Sequence, residues 1–389
     1  MKLAMVAVGR RTDFRDRLLA WFRRQQRALP FRGSRDPYRI WLSEVMLQQT
    51  RVAAALPYYR RFLRRFPSVR ALARAREQEV LRHWAGLGYY SRARNLHRAA
   101  KIIVAQHRGE FPRTLDQALV LPGVGRYTAA AVLSIAFGQP LAVLDGNVAR
   151  VLARMGALRG DARAPRRWNR LQRAAQELMD SACDNQRPAK QHPGDWNQAL
   201  MELGALVCTP RAPRCEVCPV AKFCRARQLG AQEEIPAPRR RRRAERVRIA
   251  AAVFLDPQGR TLLVKPQAKN GNLFSGLWQF PAVEVNHHPR RELLAQLRNF
   301  KRNVLPSRTQ RARRISELKL LPSARHAVTY REITLFPFLV RVERLPGGQG
   351  ARTVQLAKLD ALPVSGATRK IAQTAREELR HQPIKSLLH

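Results

Sequence analysis

The sequence predicts two folded parts of different class: a mainly α module over residues 12–228 and an α+β domain over residues 247–365. Three observations carry this division. Apolar residues recur at helical spacing through the first part, with no strand-like alternation of any length. A Pro-punctuated basic run, Ala231–Arg248 with Arg239 to Arg243 at its centre, then breaks the pattern and reads as a tether, expected over 229–246. Short alternating apolar runs follow it.

In the first part, Asp13–Gln26 carries the stripe Phe14, Leu18, Leu19, Trp21 and Phe22 with Arg between. Helices are expected at Tyr38–Thr50, Val69–Ala75, Glu77–Trp84, Ala93–Gln106, Leu115–Val120, Tyr127–Phe137, Asn147–Met155, Trp168–Met179 and Asn197–Val207. Gly and Pro mark the gaps, including Leu56–Pro57, Gly86–Leu87–Gly88 and Pro122–Gly123. In the second part, Val247–Leu255 and Thr261–Val264 read as strands joined by a turn at Asp256–Gly259. Glu292–Phe300 reads as a helix, and His326–Thr329, Ile333–Phe338 and Leu339–Val342 read as strands. Gly366–His389 is polar and basic, a loose helix or a tail.

Lys and Arg number 73 against 28 acids, a formal net charge of +45 over 389 residues. An ordinary small-molecule enzyme has no use for such a field. A polyanion does, and nucleic acid is the first to consider. No run of 18 apolar residues exists, so no membrane span is expected. Met1–Arg11 reads as a ragged terminus rather than a signal peptide, which places the chain in the cytosol with reduced thiols.

Cys208, Cys215, Cys218 and Cys224 follow a helix at the spacing C-x6-C-x2-C-x5-C. Four thiolates so close in an intracellular chain point to a metal or cluster site. Zinc ribbons usually present two close pairs separated by a longer gap. This nested loop suits a [4Fe–4S] cubane, with zinc as the alternative. Arg211 and Arg214 lie inside the loop and would meet phosphates. Cys183 stands apart as a free thiol.

Thr114–Leu–Asp–Gln117 is a capping box before a short apolar helix, and Leu121–Pro–Gly–Val–Gly125–Arg–Tyr–Thr128 follows it. Gly123 and Gly125 allow a tight hairpin whose N–H groups, backed by the next helix dipole, can hold a phosphate. Asp145 precedes a helix, where the ordinary role of Asp is the N-cap. Glu44 is the lone acid of the apolar helix Ile40–Thr50, with Ile40, Trp41, Leu47 and Gln48 as same-face neighbours. It either reaches solvent at the edge of the stripe or loses hydration. In the second case its pKa rises, as a general acid near neutrality requires.

Taken together, these segments resemble the helix–hairpin–helix DNA glycosylases of base-excision repair, and among them the adenine DNA glycosylase (MutY) family. The matching stretches are Leu29–Arg32, Trp41–Thr50, Gly86–Arg92, Leu121–Thr128, Leu144–Val148, Asn197–Ala205 and the four Cys, in corresponding order. The resemblance implies that the acid matching Glu44 protonates the adenine, and that Asp145 stabilises or captures the sugar cation. It gives Tyr127 and Asn147 the task of orienting Asp145 and its surroundings. Arg32 would face the extruded base, Gln48, Gln49 and Thr50 would lie near the lesion, and Leu87 and Tyr89 would act at the base stack. Related glycosylase–lyases carry a Lys where this chain has Tyr127, so a monofunctional enzyme is expected. The implied partner is double-stranded DNA holding an A:8-oxoguanine or A:G mispair, bound by a monomer in the bacterial cytosol.

The second part resembles the Nudix-like domain of that family through Gly276–Leu–Trp–Gln–Phe–Pro281, without the clustered Glu motif of a hydrolase. Where the family reads 8-oxoguanine with Phe-Ser-His, this chain has Val328, Thr329 and Tyr330. Phe31 replaces a common Trp, and Asp180–Gly194 reads as an insertion. The rival readings are a pyrimidine-lesion glycosylase–lyase, a noncatalytic lesion sensor, and a second part that serves only to dock proteins.

Overall fold

A computed structural model describes residues 8–182, 192–238, 243–265, 276–304, 318–328, 330–347 and 350–381. Cys183, most of the expected insertion and Thr329 lie outside the described residues. The elements in chain order are α1 (Val8–Gln25), α2 (Pro37–Leu47), α3 (Val52–Arg65), α4 (Val69–Arg74), α5 (Glu77–Trp84), α6 (Tyr90–Gln106), α7 (Leu115–Leu119) and α8 (Arg126–Phe137). Then come α9 (Gly146–Met155), α10 (Pro165–Ala182), α11 (Pro193–Leu206), α12 (Arg225–Gln228), β1 (Glu245–Leu255), β2 (Arg260–Val264), β3 (Ala282–Glu284), α13 (Pro289–Val304), β4 (Leu318–Leu320), β5 (Ala324–Val328), β6 (Arg331–Arg341), β7 (Ala351–Gln355) and α14 (Gly366–His381). No described helix is long and apolar enough to cross a membrane. The chain divides into two compact units, 1–75 with 91–240, and 76–90 with 241–389.

The first unit is helical. α8 is apolar on every side, and Thr128 to Ile135 are all buried, as befits a helix at the centre of a bundle. Around it, α1, α9, α10 and α11 share one core through Phe14, Leu18, Leu152, Leu171, Trp196 and Leu200. Helix starts follow local chemistry: Asp36 caps α2 with Pro37 next, and Ser68 caps α4. Thr114 accepts from the Gln117 N–H at 3.4 Å, the first half of the expected box.

One helix departs from the sequence expectation. Leu56–Pro57 was read as a gap, yet Pro57 lies inside α3. Its ring falls near the helix start, and burial of Ala55, Tyr59 and Phe62 on one face offsets the lost backbone bond. The expected tether also begins later than 229. Ala231 and Ile235 are buried in the helical core, and the Ala237 N–H donates to the Gly160 carbonyl at 3.1 Å.

In the second unit the central pair is parallel, β1 beside β6, in register from Glu245↔Arg331 to Leu255↔Arg341. The sheet runs β4-β6-β1-β2-β7, with β3 paired to β1 and β5 to β6. Alternation along β1 serves two cores. Val247, Ala251, Val253 and Leu255 join Ile371, Ala372 and Ala375 of α14 on one face. Ala250, Ala252 and Phe254 join Leu293 and Leu297 of α13 on the other. Gly366–His381 is therefore a packed helix, the first of the two readings of 366–389, rather than a basic tail, and 382–389 lie outside the described residues. The sequence-predicted strands Ile333–Phe338 and Leu339–Val342 form one strand, because Pro337 is accommodated within β6.

Candidate active site and cluster loop

Glu44 lies in the C-terminal half of α2 and faces inward. With Ile40, Leu47 and Gln48 it lines a cavity of about 740 Å³. Trp41, expected on the same face, is not part of that wall and packs on Phe111 instead. Tyr127, in the first turn of α8, donates its hydroxyl to Glu44 Oε2 at 2.7 Å and also contacts Met201 Sδ at 3.3 Å. Of the expected pair, Tyr127 thus bonds Glu44 while Asn147 bonds Asp145. Burial pushes the Glu44 carboxyl up to about 7. The Tyr127 bond and the Arg32 charge oppose that rise, and the Asp145 charge adds to it.

Asp145 lines the same cavity. It caps α9, accepting the Val148 N–H at Oδ1 (2.7 Å) and Asn147 Nδ2 at Oδ2 (3.0 Å). Burial raises its pKa, while these bonds and the Arg150 charge restrain the rise. The N-cap role and a cavity-facing role therefore coincide in one residue. The stretch leading to Asp145 is pinned by buried Asn197 on α11, whose Nδ2 donates to Ser134 Oγ and the Leu141 carbonyl, both at 2.8 Å. Its Oδ1 accepts the Val143 N–H at 3.1 Å.

Asn147 Oδ1 in turn accepts from Arg150 Nη2 at 2.9 Å, and Arg150 Nε donates to the Cys208 carbonyl at 2.7 Å. A Cβ at Gly204 would stand 2.7 Å from Asn147 Cβ, so glycine is what lets α11 approach α9 here. An unbroken set of hydrogen bonds thus joins Asp145 to the cysteine loop.

Sequence reasoning gave no role to Glu202, on α11. It carries the same signal as Glu44, one acid in an apolar helical run. Glu202 is fully buried at the edge of the cavity. Burial alone would raise its pKa, but bonds from Arg27 Nε (2.7 Å) and Arg32 Nη2 (2.5 Å) reverse the shift and hold it charged. Arg32 also donates to Gln198 Oε1 at 3.1 Å and stacks over Phe22. Glu202→Ala would leave the half-exposed Arg27 and the mostly buried Arg32 without the carboxylate they share. We expect it to cost about 3 kcal/mol of folding stability, read by urea unfolding, with Glu202→Gln intermediate.

Gln48, Gln49 and Thr50 form the rim. Gln48 Nε2 reaches Thr128 Oγ1 at 3.4 Å, and Gln49 is exposed with φ of 57°. Arg92 closes the end of α2, donating to the carbonyls of Val45, Met46 and Gln48. In the hairpin, Gly123 has φ of 77°, and a Cβ there would meet Asn95 Cβ at 2.7 Å. Gly125 caps α8 with open space around it. Gly123→Ala is expected to destabilise by about 2 kcal/mol, because strain and clash add. Denaturant unfolding reads that loss.

In the second unit, Tyr89 is 39% exposed with φ of 48°, while Leu87, expected on DNA, is buried. Tyr330 is exposed in the turn before β6, with Arg331 over its ring at 5.7 Å.

Cys208, Cys215, Cys218 and Cys224 surround a small cavity shared with Arg154, Arg214 and Gln232. Among the described residues, no three His, Cys, Asp or Glu side chains converge closely enough for a single ion. Burial pushes the Cys218 thiol up to about 12, so its thiolate needs a cationic partner. Of the two loop arginines, Arg211 is exposed, while Arg214 donates to the Leu206 carbonyl at 2.6 Å and finishes α11.

Residues 42–197 match the HhH-GPD superfamily of base excision DNA repair proteins, and residues 208–224 match the iron–sulfur binding domain of endonuclease III. The helical unit is also similar to a thermostable thymine-DNA glycosylase, with TM-score 0.50 and 29% identity over 57% of this chain and 98% of that one. Fold, hairpin and loop define the class: a helix–hairpin–helix base-excision repair protein with an iron–sulfur loop, whose cofactor is a [4Fe–4S] cluster. Human adenine DNA glycosylase is 38% identical over 79% of this chain, which spans 64% of the human protein's length. The mouse protein of the same name is 33% identical over 92% of this chain and 77% of its own length, a match that takes in both units. The chain belongs to the adenine DNA glycosylase family.

Proposed function

We propose that this chain is a monofunctional DNA glycosylase that removes adenine mispaired with 8-oxoguanine or guanine from duplex DNA. One observation carries the reading: Glu44 and Asp145, far apart in sequence, line a single cavity in environments that separate their roles. Glu44 is poised near 7 and can hold a proton at neutral pH. Burial raises the Asp145 pKa too, but the Val148 N–H, the Asn147 amide and the Arg150 charge all favour its ionised form.

The chemistry follows from that division. The duplex hides the glycosidic bond, so the adenosine must swing out into the cavity. Glu44 then gives its proton to a ring nitrogen of the adenine. Electron density leaves with the base as the bond to the sugar breaks. Asp145 faces the oxocarbenium-like sugar, stabilising or briefly capturing it. Water then adds at the sugar carbon, releasing Asp145. The water's proton passes to the Glu44 carboxylate, which restores the acid and leaves an abasic site. Tyr127 holds the Glu44 carboxyl in place, and Asn147 holds Asp145. No lysine lines the cavity among the described residues, which supports simple hydrolysis over the imine route of a glycosylase–lyase.

Around this centre, the Gly123–Gly125 hairpin, Arg211 and Arg214 hold phosphates irrespective of sequence. Arg32, Gln48, Gln49 and Thr50 serve the extruded base and the gap it leaves, and Tyr89 tests the stack. Thr329 and Tyr330 serve the opposite base. Buried Leu87 supports that turn rather than touching DNA.

A single-turnover assay on duplexes with adenine opposite 8-oxoguanine or guanine tests the proposal. Free adenine, and strand breaks only after alkali, are expected. Strand breaks without alkali together with a borohydride-trapped protein–DNA adduct would instead establish the lyase. Binding without release of adenine from either duplex would leave a lesion sensor.

A further inference from the structure

The four cysteines supply only part of the wall of their cavity. Arg154 and Gln232 supply another part, and Gln232 lies beyond the last cysteine, outside the 208–224 stretch that matches the iron–sulfur domain. The chain from Ala231 to Ala237 is fastened at several points. The Ala231 N–H donates to the Ala226 carbonyl at 2.8 Å, and the Ala237 N–H donates to the Gly160 carbonyl at 3.1 Å. Arg154, buried on α9, donates Nε to the Ile235 carbonyl at 2.7 Å. Its Nη1 reaches the Thr209 carbonyl at 2.7 Å and Cys208 Sγ at 3.3 Å, and its Nη2 reaches the Pro210 carbonyl at 3.3 Å. One guanidinium therefore ties this strap and the first ligand-bearing turn to the same helix.

Within the strap, Gln232 Oε1 is sealed from water and has no hydrogen-bond partner. A buried amide in that position needs an explanation. A half-turn about its last torsion exchanges oxygen and nitrogen, so the group can offer two N–H donors instead. Thiolate and sulfide sulfurs of a bound cluster are acceptors. They are the partner that the cavity otherwise fails to provide.

We propose that Gln232 is a positioning residue of the iron–sulfur site: the Ala231–Ala237 strap closes over the cysteine loop, and the Gln232 amide donates to a cluster sulfur. Hydrogen bonds to sulfur draw electron density away from the cluster and raise its reduction potential, and a closed strap keeps oxidants out. The strap is therefore part of the cluster module, although its sequence reads as the start of a linker.

The test uses the full chain, reconstituted anaerobically, with Gln232→Leu, Gln232→Glu and, as control, Gln228→Leu. Gln228 is exposed and is not among the residues lining the cavity. Iron and acid-labile sulfide per chain, reduction potential without DNA, and the rate of cluster bleaching by ferricyanide are read. Both Gln232 variants should shift the potential negative, Glu more than Leu, and bleach several-fold faster than wild type, while the control matches wild type. Should the Leu variant fail to load its cluster, the near-isosteric Glu variant alone decides. Wild-type potential and bleaching in a loaded Gln232 variant, or the same changes in the control, would overturn the proposal.

Discussion

Glu44→Gln is expected to abolish adenine release while leaving folding and duplex binding intact. The expected loss is about 10²–10⁴-fold in the single-turnover rate, the usual worth of a positioned general acid. Gln keeps the shape and can still accept the Tyr127 hydroxyl, which reaches Glu44 Oε2 at 2.7 Å. What it lacks is a proton to give. The pH profile provides an independent check. Burial holds the wild-type carboxyl up at about 7, so the reactive protonated form dominates below that value. The rate should fall about tenfold per pH unit well above it. In Glu44→Gln that limb disappears. Stability moves the opposite way. A carboxyl whose folded pKa is raised penalises folding progressively as the pH rises from the unfolded value to the folded one, and in full above it. Thermal unfolding at pH 8 should therefore show the variant at least as stable as wild type. A variant that released adenine at the wild-type rate would remove Glu44 from the role.

The features legible in the sequence were those set by local spacing. A lone acid in the apolar run Ile40–Leu47 offered a dehydrated carboxyl as one of two readings, and the nested cysteines announced their loop. From its local sequence Asp145 was legible only as a cap, and its place beside the sugar came from the family resemblance, since nothing local to it says that a cavity opens there. The missing information was long-range. Tyr127 meets Glu44, and Arg27 and Arg32 meet Glu202, only after α2, α8 and α11 have packed. The same reason explains the misread elements. Pro57 suggested a break, but a buried face carried α3 through it. Residues 366–381 read as a loose helix or a tail, and small residues, Ala367, Ala372 and Ala375, settle the matter by seating α14 against the sheet. The early linker read as solvated because its composition is basic and Pro-rich. Ala231 and Ile235 are enough to bury its first turn.

Asp145→Asn should lose base release by about 10²–10³-fold, the scale for removing one preorganised electrostatic partner of a transition state. The substitution separates two roles that the wild-type residue combines. Asn is as good an N-cap as Asp, and its side-chain oxygen can still accept the Val148 N–H now held at 2.7 Å, so α9 should start normally. Far-ultraviolet circular dichroism and thermal unfolding are expected to change little. Only the negative charge facing the sugar is lost, and with it any capacity to form a covalent link to the sugar carbon. The charge loss also reaches Glu44, because Asp145 contributes to raising its pKa. In Asp145→Asn the Glu44 carboxyl should titrate lower than in wild type, so the residual activity should fall off at a lower pH. A merely structural role for Asp145 predicts a different set of results: lost helix content, a lowered melting temperature and an unshifted pH profile. The direction of the pH shift therefore separates electrostatic partnership with Glu44 from simple support of the fold.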